Sequence, residues 1–254
     1  MFFPILKVLR SHGRQFIPRL DEAKLPDTFR GRPTIAAEPS DETAEELCRM
    51  CPSGAVSKAP FTIDLGRCVF CNECAMRYPD LIRFTSDFRL ATNDPQRLRI
   101  TAQSGDRIAL DPEKVRREIR RTFGRALRLR QVCAGGDGST EMELNATMNV
   151  NFDFGRYGIE FVASPRHADG IVVSGPVTAN MAVALELCYR AVATPRIVIL
   201  AGSEAVSGGL FAGSEALDRS FLDRVGVDLY IPGNPVHPLT FIDGVMSLTG
   251  RLKK

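Results

Sequence analysis

Three cysteines spaced two residues apart, with a fourth ahead of a proline upstream, constrain this chain more than any other feature. They lie in the stretch MCPSGAVSKAPFTIDLGRCVFCNECAMRYP as Cys68, Cys71, Cys74 and Cys51, the last directly before Pro52. Around them, residues 33–101 form short segments with little continuous apolar periodicity. Such a unit is not expected to build a large core and is expected to need a metal staple. Clustered cysteines in a reducing compartment are more often metal ligands than disulfides. The framework is also lopsided: where a second Cys-Pro would close the run, the chain has Tyr78-Pro79.

The pattern resembles that of two-cluster bacterial ferredoxins. These use C-x2-C-x2-C-x3-C-P twice, each cluster taking three cysteines from one run and its fourth from the other. Setting Cys51-Pro52 at the end of a first run puts its earlier ligand positions at Asp41, Ala44 and Leu47, and puts Tyr78 at the end of the second. One cluster would need 41, 44, 47 and 78, and none is cysteine. The other would need 51, 68, 71 and 74, and all are present. The losses remove one complete site and spare the other. One 4Fe–4S cluster on Cys51, Cys68, Cys71 and Cys74 is therefore expected, with zinc as the rival for four thiolates. Cys48 is one residue out of register and reads as a spare thiol. The unit is similar to the ferredoxin-like electron-transfer subunits of membrane-bound hydrogenases and complex I, and FRGRP leading into it resembles the same group.

The 254 residues allow one large domain or two small ones, and an apolar fraction of 44% is ordinary for a globular protein. No apolar run is long enough to span a bilayer. The opening MFFPILKVLRSHGRQF lacks a charged leader and a small-residue cleavage site, so it does not read as a signal peptide, and a cytoplasmic chain is expected. FFPILKVLR reads as a short amphipathic helix on a membrane or partner, or as an arm packed on its own domain. Net charge is only +3, but residues 1–130 carry 24 Lys+Arg against 17 Asp+Glu, and residues 131–254 carry 9 against 13. A basic front and an acidic back suggest two units with different partners. In DPEKVRREIRRTFGRALRLRQV, Asp111 suits an N-cap and Pro112 the first helical position. Val115, Ile119, Phe123 and Leu127 recur at helical spacing, with arginine on the other face. The resulting division is an arm at 1–32, a ferredoxin-like unit at 33–101, a basic linker helix at 102–127 and an α/β unit at 128–254.

From about 128, short β-rich runs such as GIEFVAS, GIVVSG, RIVILAG and VDLYIPG alternate with helix-like segments such as TANMAVALELCYRAV. That alternation predicts a parallel sheet covered on both faces, with its active loops at the carboxyl ends of the strands. The segments SPRHADGIVVSGPVTANMAVAL, FDFGRYGIEFVASPRHAD, SGG at 207–209 and YIPG resemble the small subunit of group 4 nickel–iron hydrogenases of the formate hydrogenlyase type. They are similar also to the 20 kDa subunit of NADH:quinone oxidoreductase. The resemblance runs from about Arg128 to Arg251 and implies a flavodoxin-like fold, with one 4Fe–4S cluster facing a large catalytic subunit. Yet where the family has its four ligands, this chain has Asp137, Thr140, Glu204 and Asn234. These oxygens suit a hard cation such as Mg2+ better than a cluster. A vacated site, converging on one end of the sheet and filled by polar contacts and water, is the stronger expectation, with Arg166 as a partner for its carboxylates. Cys133 lies near the first loop but is displaced. Cys188 reads as a core thiol, and Arg166 and His167 as loop braces.

The resemblance implies an iron–sulfur electron-transfer subunit of a membrane-associated, complex I-like or hydrogenase-related oxidoreductase. Its partners would be a large catalytic-type subunit, membrane-arm subunits and a redox protein. Its place would be peripheral, on the cytoplasmic face of the cell membrane. In the family, the cluster missing here is the last station before the active site. The other reading is a structural or assembly subunit whose cluster is a folding staple. Nucleic acid is not expected as a partner, since no aromatic residues interleave the arginines to stack bases. No nucleophile–base pair stands out, so no catalytic residue is proposed.

Overall fold

The structure, a computed structural model, describes residues 3–13 and 15–251. Residues 1, 2 and 14 of the expected arm, and 252–254 of the expected α/β unit, lie outside the described residues.

Helix α1 (Phe3–His12) is the predicted amphipathic segment. It is not packed on the chain: Ile5, Leu6, Val8 and Leu9 are each at least half exposed. The backbone rejoins the body at Ile17, whose N–H donates 2.9 Å to the Asn151 carbonyl, and Leu20 is buried in the main core.

The cysteine-bearing unit consists of β1 (Pro33–Ile35), α2 (Asp41–Met50), β2 (Val56–Lys58), β3 (Phe61–Asp64), α3 (Glu73–Arg77), β4 (Ile82–Phe84) and β5 (Arg99–Ile100). β1 pairs antiparallel with β4, and β3 pairs antiparallel with both β2 and β5. Ser40 starts α2 by accepting the Thr43 N–H, and Asp41 and Glu42 sit in the first turn, where the helix dipole favours negative charge. The expectation of a unit with little core is corrected. Leu47, Phe61, Ile63, Leu65, Ile82 and Leu98 are buried together. They come from separate short pieces of chain, so no single stretch is long enough to display a period.

The predicted linker helix is mostly something else. α4 covers only Arg117–Phe123. The Asp111 carboxylate does accept a nearby N–H, from Glu113 at 3.0 Å, but this closes a turn. Gly124 caps α4, and Leu127, the last residue of the apolar stripe, opens strand β6 (Leu127–Cys133), paired with Ile159. Tertiary strand pairing wins over local helical periodicity there. Nor is the arginine face uniformly free, because Arg116 makes two 2.9 Å bonds to the Asp228 carboxylate.

The chain continues through α5 (Ser139–Ala146), β7 (Ile159–Phe161), β8 (Gly170–Ser174), α6 (Ala179–Ala191), β9 (Ile197–Ala201), α7 (Ser203–Ser207), α8 (Ser220–Arg224), β10 (Leu229–Ile231) and α9 (Pro238–Thr249). The five strands form one parallel sheet in the order β10-β9-β8-β6-β7. Counted from β6, that is the flavodoxin-like order 2-1-3-4-5. β8 and β9 are buried at every position, as strands covered on both faces must be, and both accordingly read as unbroken apolar runs.

The two units share more than a linker. Thr92 and Tyr230 exchange backbone hydrogen bonds of 3.0 and 2.7 Å, which extends the sheet past β10. Phe88 and Ala91 belong to the core of the α/β unit. α9 runs so close to this junction that a Cβ on Gly244 would stand 2.5 Å from the Ala91 Cβ. Among the described residues no helix is long and apolar enough to cross a membrane.

Candidate metal centre

The four cysteines of the expected cluster come from three places. α2 stops at Met50 because Pro52 cannot continue it, and Cys51 caps it in an extended conformation. Cys68 follows β3, and Cys71 and Cys74 flank the start of α3. The loop between them is unusual: Phe70 and Asn72 have φ values of +53° and +73°. A left-handed conformation is a true outlier for a bulky residue such as Phe, and persists only where the surroundings over-determine it. Phe70 N–H donates to Cys68 Sγ, and Ala55 N–H to Cys51 Sγ, both at 3.3 Å.

All four cysteines line one cavity, together with apolar side chains including Val56, Ile63 and Phe84. Burial pushes the Cys68 thiol up to about 12 and the Cys74 thiol up to about 11, because the apolar surroundings disfavour the charged sulfur. Among the described residues no three His, Cys, Asp or Glu side chains converge as ligands of a single ion. A four-iron cube has a different requirement: each thiolate takes its own corner iron, and the sulfurs surround a space. Four cysteines lining one cavity, two of their sulfurs accepting N–H bonds, supply the donor type such a group takes. Such a cluster would be held by Cys51, Cys68, Cys71 and Cys74. Arg30 braces the loop, donating 3.1 Å to the Cys71 carbonyl. Sequence reasoning noticed FRGRP but gave Arg30 no role.

The other ferredoxin-type positions have been absorbed into the fold. Ala44 and Leu47 are buried in the unit's core. Asp41 is exposed near Lys58. Cys48 packs beside this core, and burial, then Cys51, raises its thiol.

At the sheet's carboxyl end, the structure brings together the loops that carry Asp137, Thr140, Glu204 and Asn234. Asp137 follows β6, and its carboxylate accepts from Ser139 N–H at 2.9 Å and Oγ at 2.6 Å, which holds it below the usual range. Thr140 is buried in the first turn of α5. A Cβ on Gly202 would stand 3.0 Å from Thr140 Oγ1 and 3.5 Å from the Gly233 carbonyl, next to Asn234. A Cβ on Gly136 would stand 2.9 Å from Glu204 Oε2. Glu204 is pushed up by burial, then by Asp137 and Glu141.

Arg166 is not the partner of these carboxylates. It sits in the turn Pro165–His167 leading into β8, where Asp169 N–H donates 2.7 Å to the Arg128 carbonyl. That is the amino end of the sheet, while the crevice is at the carboxyl end. The arginine that does reach this region, Arg219, went unnoticed in the sequence. Its guanidinium donates to the carbonyls of Pro176, Glu204, Ala205 and Val206 at 2.8–3.2 Å, pinning α7. Its contacts are all main-chain, so no motif announces it. Cys188 packs half-buried against the sheet's second core, in accord with a core thiol.

The loops carrying Cys71 and Asn234 face each other. Cys71 and Asn234 line the same cavity of about 310 Å3, with Phe29, Phe70, Glu143 and His237. His237 is held neutral, its pKa pushed down to about 4 by burial, and its Nδ1 accepts the Leu239 N–H at 3.2 Å.

The strand order and the crevice at the strand ends define the class: a flavodoxin-like α/β protein. The particular family follows from sequence. Residues 133–248 match the NADH ubiquinone oxidoreductase 20 kDa subunit family, and the chain belongs to it. It is 32% identical over 143 residues to the probable membrane-bound hydrogenase subunit mbhJ of Pyrococcus furiosus, covering 56% of this chain and 85% of that one. It is 41% identical over 113 residues to an NADH-quinone oxidoreductase subunit of Desulfovibrio desulfuricans, covering 44% of this chain and 61% of the relative. Against NAD(P)H-quinone oxidoreductase subunit K of a Picosynechococcus species it is 39% identical over 108 residues, 42% of this chain and 44% of the relative. The chain thus spans less than two thirds of the length of these last two relatives. In three dimensions it resembles a chain of the membrane-bound sulfane sulfur reductase, an archaeal respiratory membrane complex, at 24% identity and a TM-score of 0.46, covering 52% of this chain and 73% of that one.

Proposed function

We propose that this chain is an iron–sulfur electron-transfer subunit of a membrane-associated, complex I-like or hydrogenase-related oxidoreductase. It carries one 4Fe–4S cluster on Cys51, Cys68, Cys71 and Cys74, and its 20 kDa-type half keeps the fold without the cluster of that half. The observation that carries this reading is the contrast between two sites in one molecule. Four cysteines line a single cavity in the front unit, while Asp137, Thr140, Glu204 and Asn234 occupy the positions that the resemblance assigns to the family's ligands. A bound cluster supplies one-electron transfer. The protein's part is to seat it: N–H donors aimed at Cys51 and Cys68 favour the charged sulfurs, and the apolar wall limits water.

Partner subunits are supported by exposed apolar side chains beside the vacated loops. Met142 lies two residues past Thr140, and Leu210 and Phe211 follow α7; Met142 is 73% exposed. Clustered exposure of this kind marks an interaction surface, and a large catalytic-type subunit is the partner proposed for it. The front unit is assigned as ferredoxin-like on its ligand spacing and its two small antiparallel sheets. The proposed division keeps the arm at 1–32 and the ferredoxin-like unit at 33–101, with the α/β unit starting at Leu127. The proposed location is the cytoplasmic face of a membrane. Asp137, Thr140, Glu204 and Asn234 at the four positions where the resemblance expects cysteines favour a second reading, a structural or assembly subunit whose cluster acts as a staple.

Anaerobic purification with iron and sulfide analysis and EPR tests the assignment. About four irons per chain and a signal from one reducible cluster are expected for a single 4Fe–4S centre. About eight irons, or stoichiometric zinc without iron, would overturn it. A cluster that cannot be reduced and reoxidised within the assembled complex would favour the structural reading.

A further inference from the structure

Among the described residues, α1 keeps its apolar side chains exposed. Ile5, Leu6 and Leu9 are 61–62% exposed and Val8 is 50% exposed, and Lys7, Arg10 and Ser11 are exposed as well. At about 100° per residue, Val8, Ile5, Leu9 and Leu6 fill an arc of about 160°, into which His12 of the last turn also falls, with Arg10, Lys7 and Ser11 on the opposite side. An apolar stripe this wide, left in water, is unfavourable unless something covers it. The charge says what covers it. From residue 1 to residue 18 the sequence holds Lys7, Arg10 and Arg14 and no Asp or Glu; the first acids, Asp21 and Glu22, are taken up by ion pairs with Arg19. Cations without anions on the polar face, behind a broad apolar face, are the pattern of a helix lying in the plane of an anionic lipid surface.

We infer that α1 is a lipid-contact arm, inserting Ile5, Leu6, Val8 and Leu9 among acyl chains while Lys7 and Arg10 meet anionic headgroups. Chain geometry allows this: the helix ends at His12, and the backbone is first tied to the body at Ile17. The inference rests on the membrane-associated part of the reading above and names its contact.

The test is co-sedimentation of the full chain, prepared anaerobically, with vesicles of phosphatidylcholine alone and with vesicles also containing phosphatidylglycerol. Binding to the second kind only is expected. Lys7→Gln with Arg10→Gln should weaken it by roughly fivefold per cation removed. Leu6→Ser with Leu9→Ser should weaken it with the charge unchanged. Both double variants change exposed residues, so far-UV circular dichroism should match the parent. Equal binding to neutral vesicles, or binding that neither variant weakens, overturns the inference. So does an arm protected from proteolysis by added partner subunits but never by vesicles, the outcome for a protein groove. Iron content read on the same samples separates the two proposals. Iron without vesicle binding sinks only the lipid arm, and vesicle binding without iron sinks only the cluster.

Discussion

The Tyr78 hydroxyl donates a 2.6 Å hydrogen bond to Glu46 Oε2. Arg77 Nε donates to the other oxygen of the same carboxylate at 2.9 Å. Tyr78 stands where a second cluster would need its last cysteine, and Glu46 precedes Leu47, another of that cluster's missing ligand positions. Around Tyr78 and Leu47 the fold is thus closed by its own side chains, polar at the rim and apolar beneath.

If so, Leu47→Ala should cost about 2–5 kcal/mol, as expected for a fully buried leucine. Tyr78→Phe should cost less, because its bond is only partly buried and its ring is kept. Denaturant unfolding of the anaerobic protein measures both. Tyr78→Cys should add no iron, since a lone thiol does not rebuild a site filled with core side chains.

Cys51→Ser should lower iron content as severely as Cys71→Ser, although Cys51 lies outside the tight run. Each removes one of four thiolates from the cavity wall. Cys48→Ser should leave iron near that of the parent. The measurement is iron per chain, paired with the cluster's visible absorbance. Equal loss in all three variants would count against the ligand assignment.

Glu204→Gln should stabilise the protein at neutral and alkaline pH. Burial and the neighbouring Asp137 and Glu141 raise the folded-state pKa of Glu204 above its unfolded value. The native state therefore holds this proton more tightly, and the penalty for ionising Glu204 grows as pH rises through the folded pKa. The advantage of Gln should shrink on acidification. Unfolding midpoints of parent and variant, compared across pH, give the answer.

Asp243 on α9 offers the same test at a second position. Burial pushes it up to about 6, with Arg89 and Arg107 opposing and Asp87 adding to the shift. Its ionisation thus destabilises the fold increasingly from the unfolded value of 3.8 up to about 6, and fully above that. Asp243→Asn should gain about 1–2 kcal/mol above pH 7, discounting for partial exposure, and the gain should vanish near pH 4. An Asn variant equally stabilised at both pH values would show that charge burial is not the cause.

Much of this molecule was legible in sequence wherever one stretch carries its own signal. TANMAVALELCYRAV is α6, and GIVVSG and RIVILAG are β8 and β9, because a strand covered on both faces needs an unbroken apolar run. The stripe Val115, Ile119, Phe123 and Leu127 misled because its residues are all buried, but in two kinds of element: Phe123 ends α4 and Leu127 begins β6. Periodicity reports burial, and which element satisfies it depends on partners that the local sequence does not name. Arg166 was a poor partner for Glu204 for a related reason. Being close in a motif says nothing about which end of a parallel sheet a turn occupies.

The cysteine spacing and the strand–helix alternation were set by the sequence itself, since both patterns act over a few residues. Three things were left to the tertiary structure. Phe88 and Ala91, from the cysteine-bearing unit, complete the core of the α/β unit. Arg219 pins α7 through four carbonyls that no motif marks. The loops carrying Cys71 and Asn234, which lie far apart in the chain, meet across one cavity. Each joins groups distant in sequence through packing or main-chain hydrogen bonds, interactions that depend on position in space and leave no pattern in the order of residues.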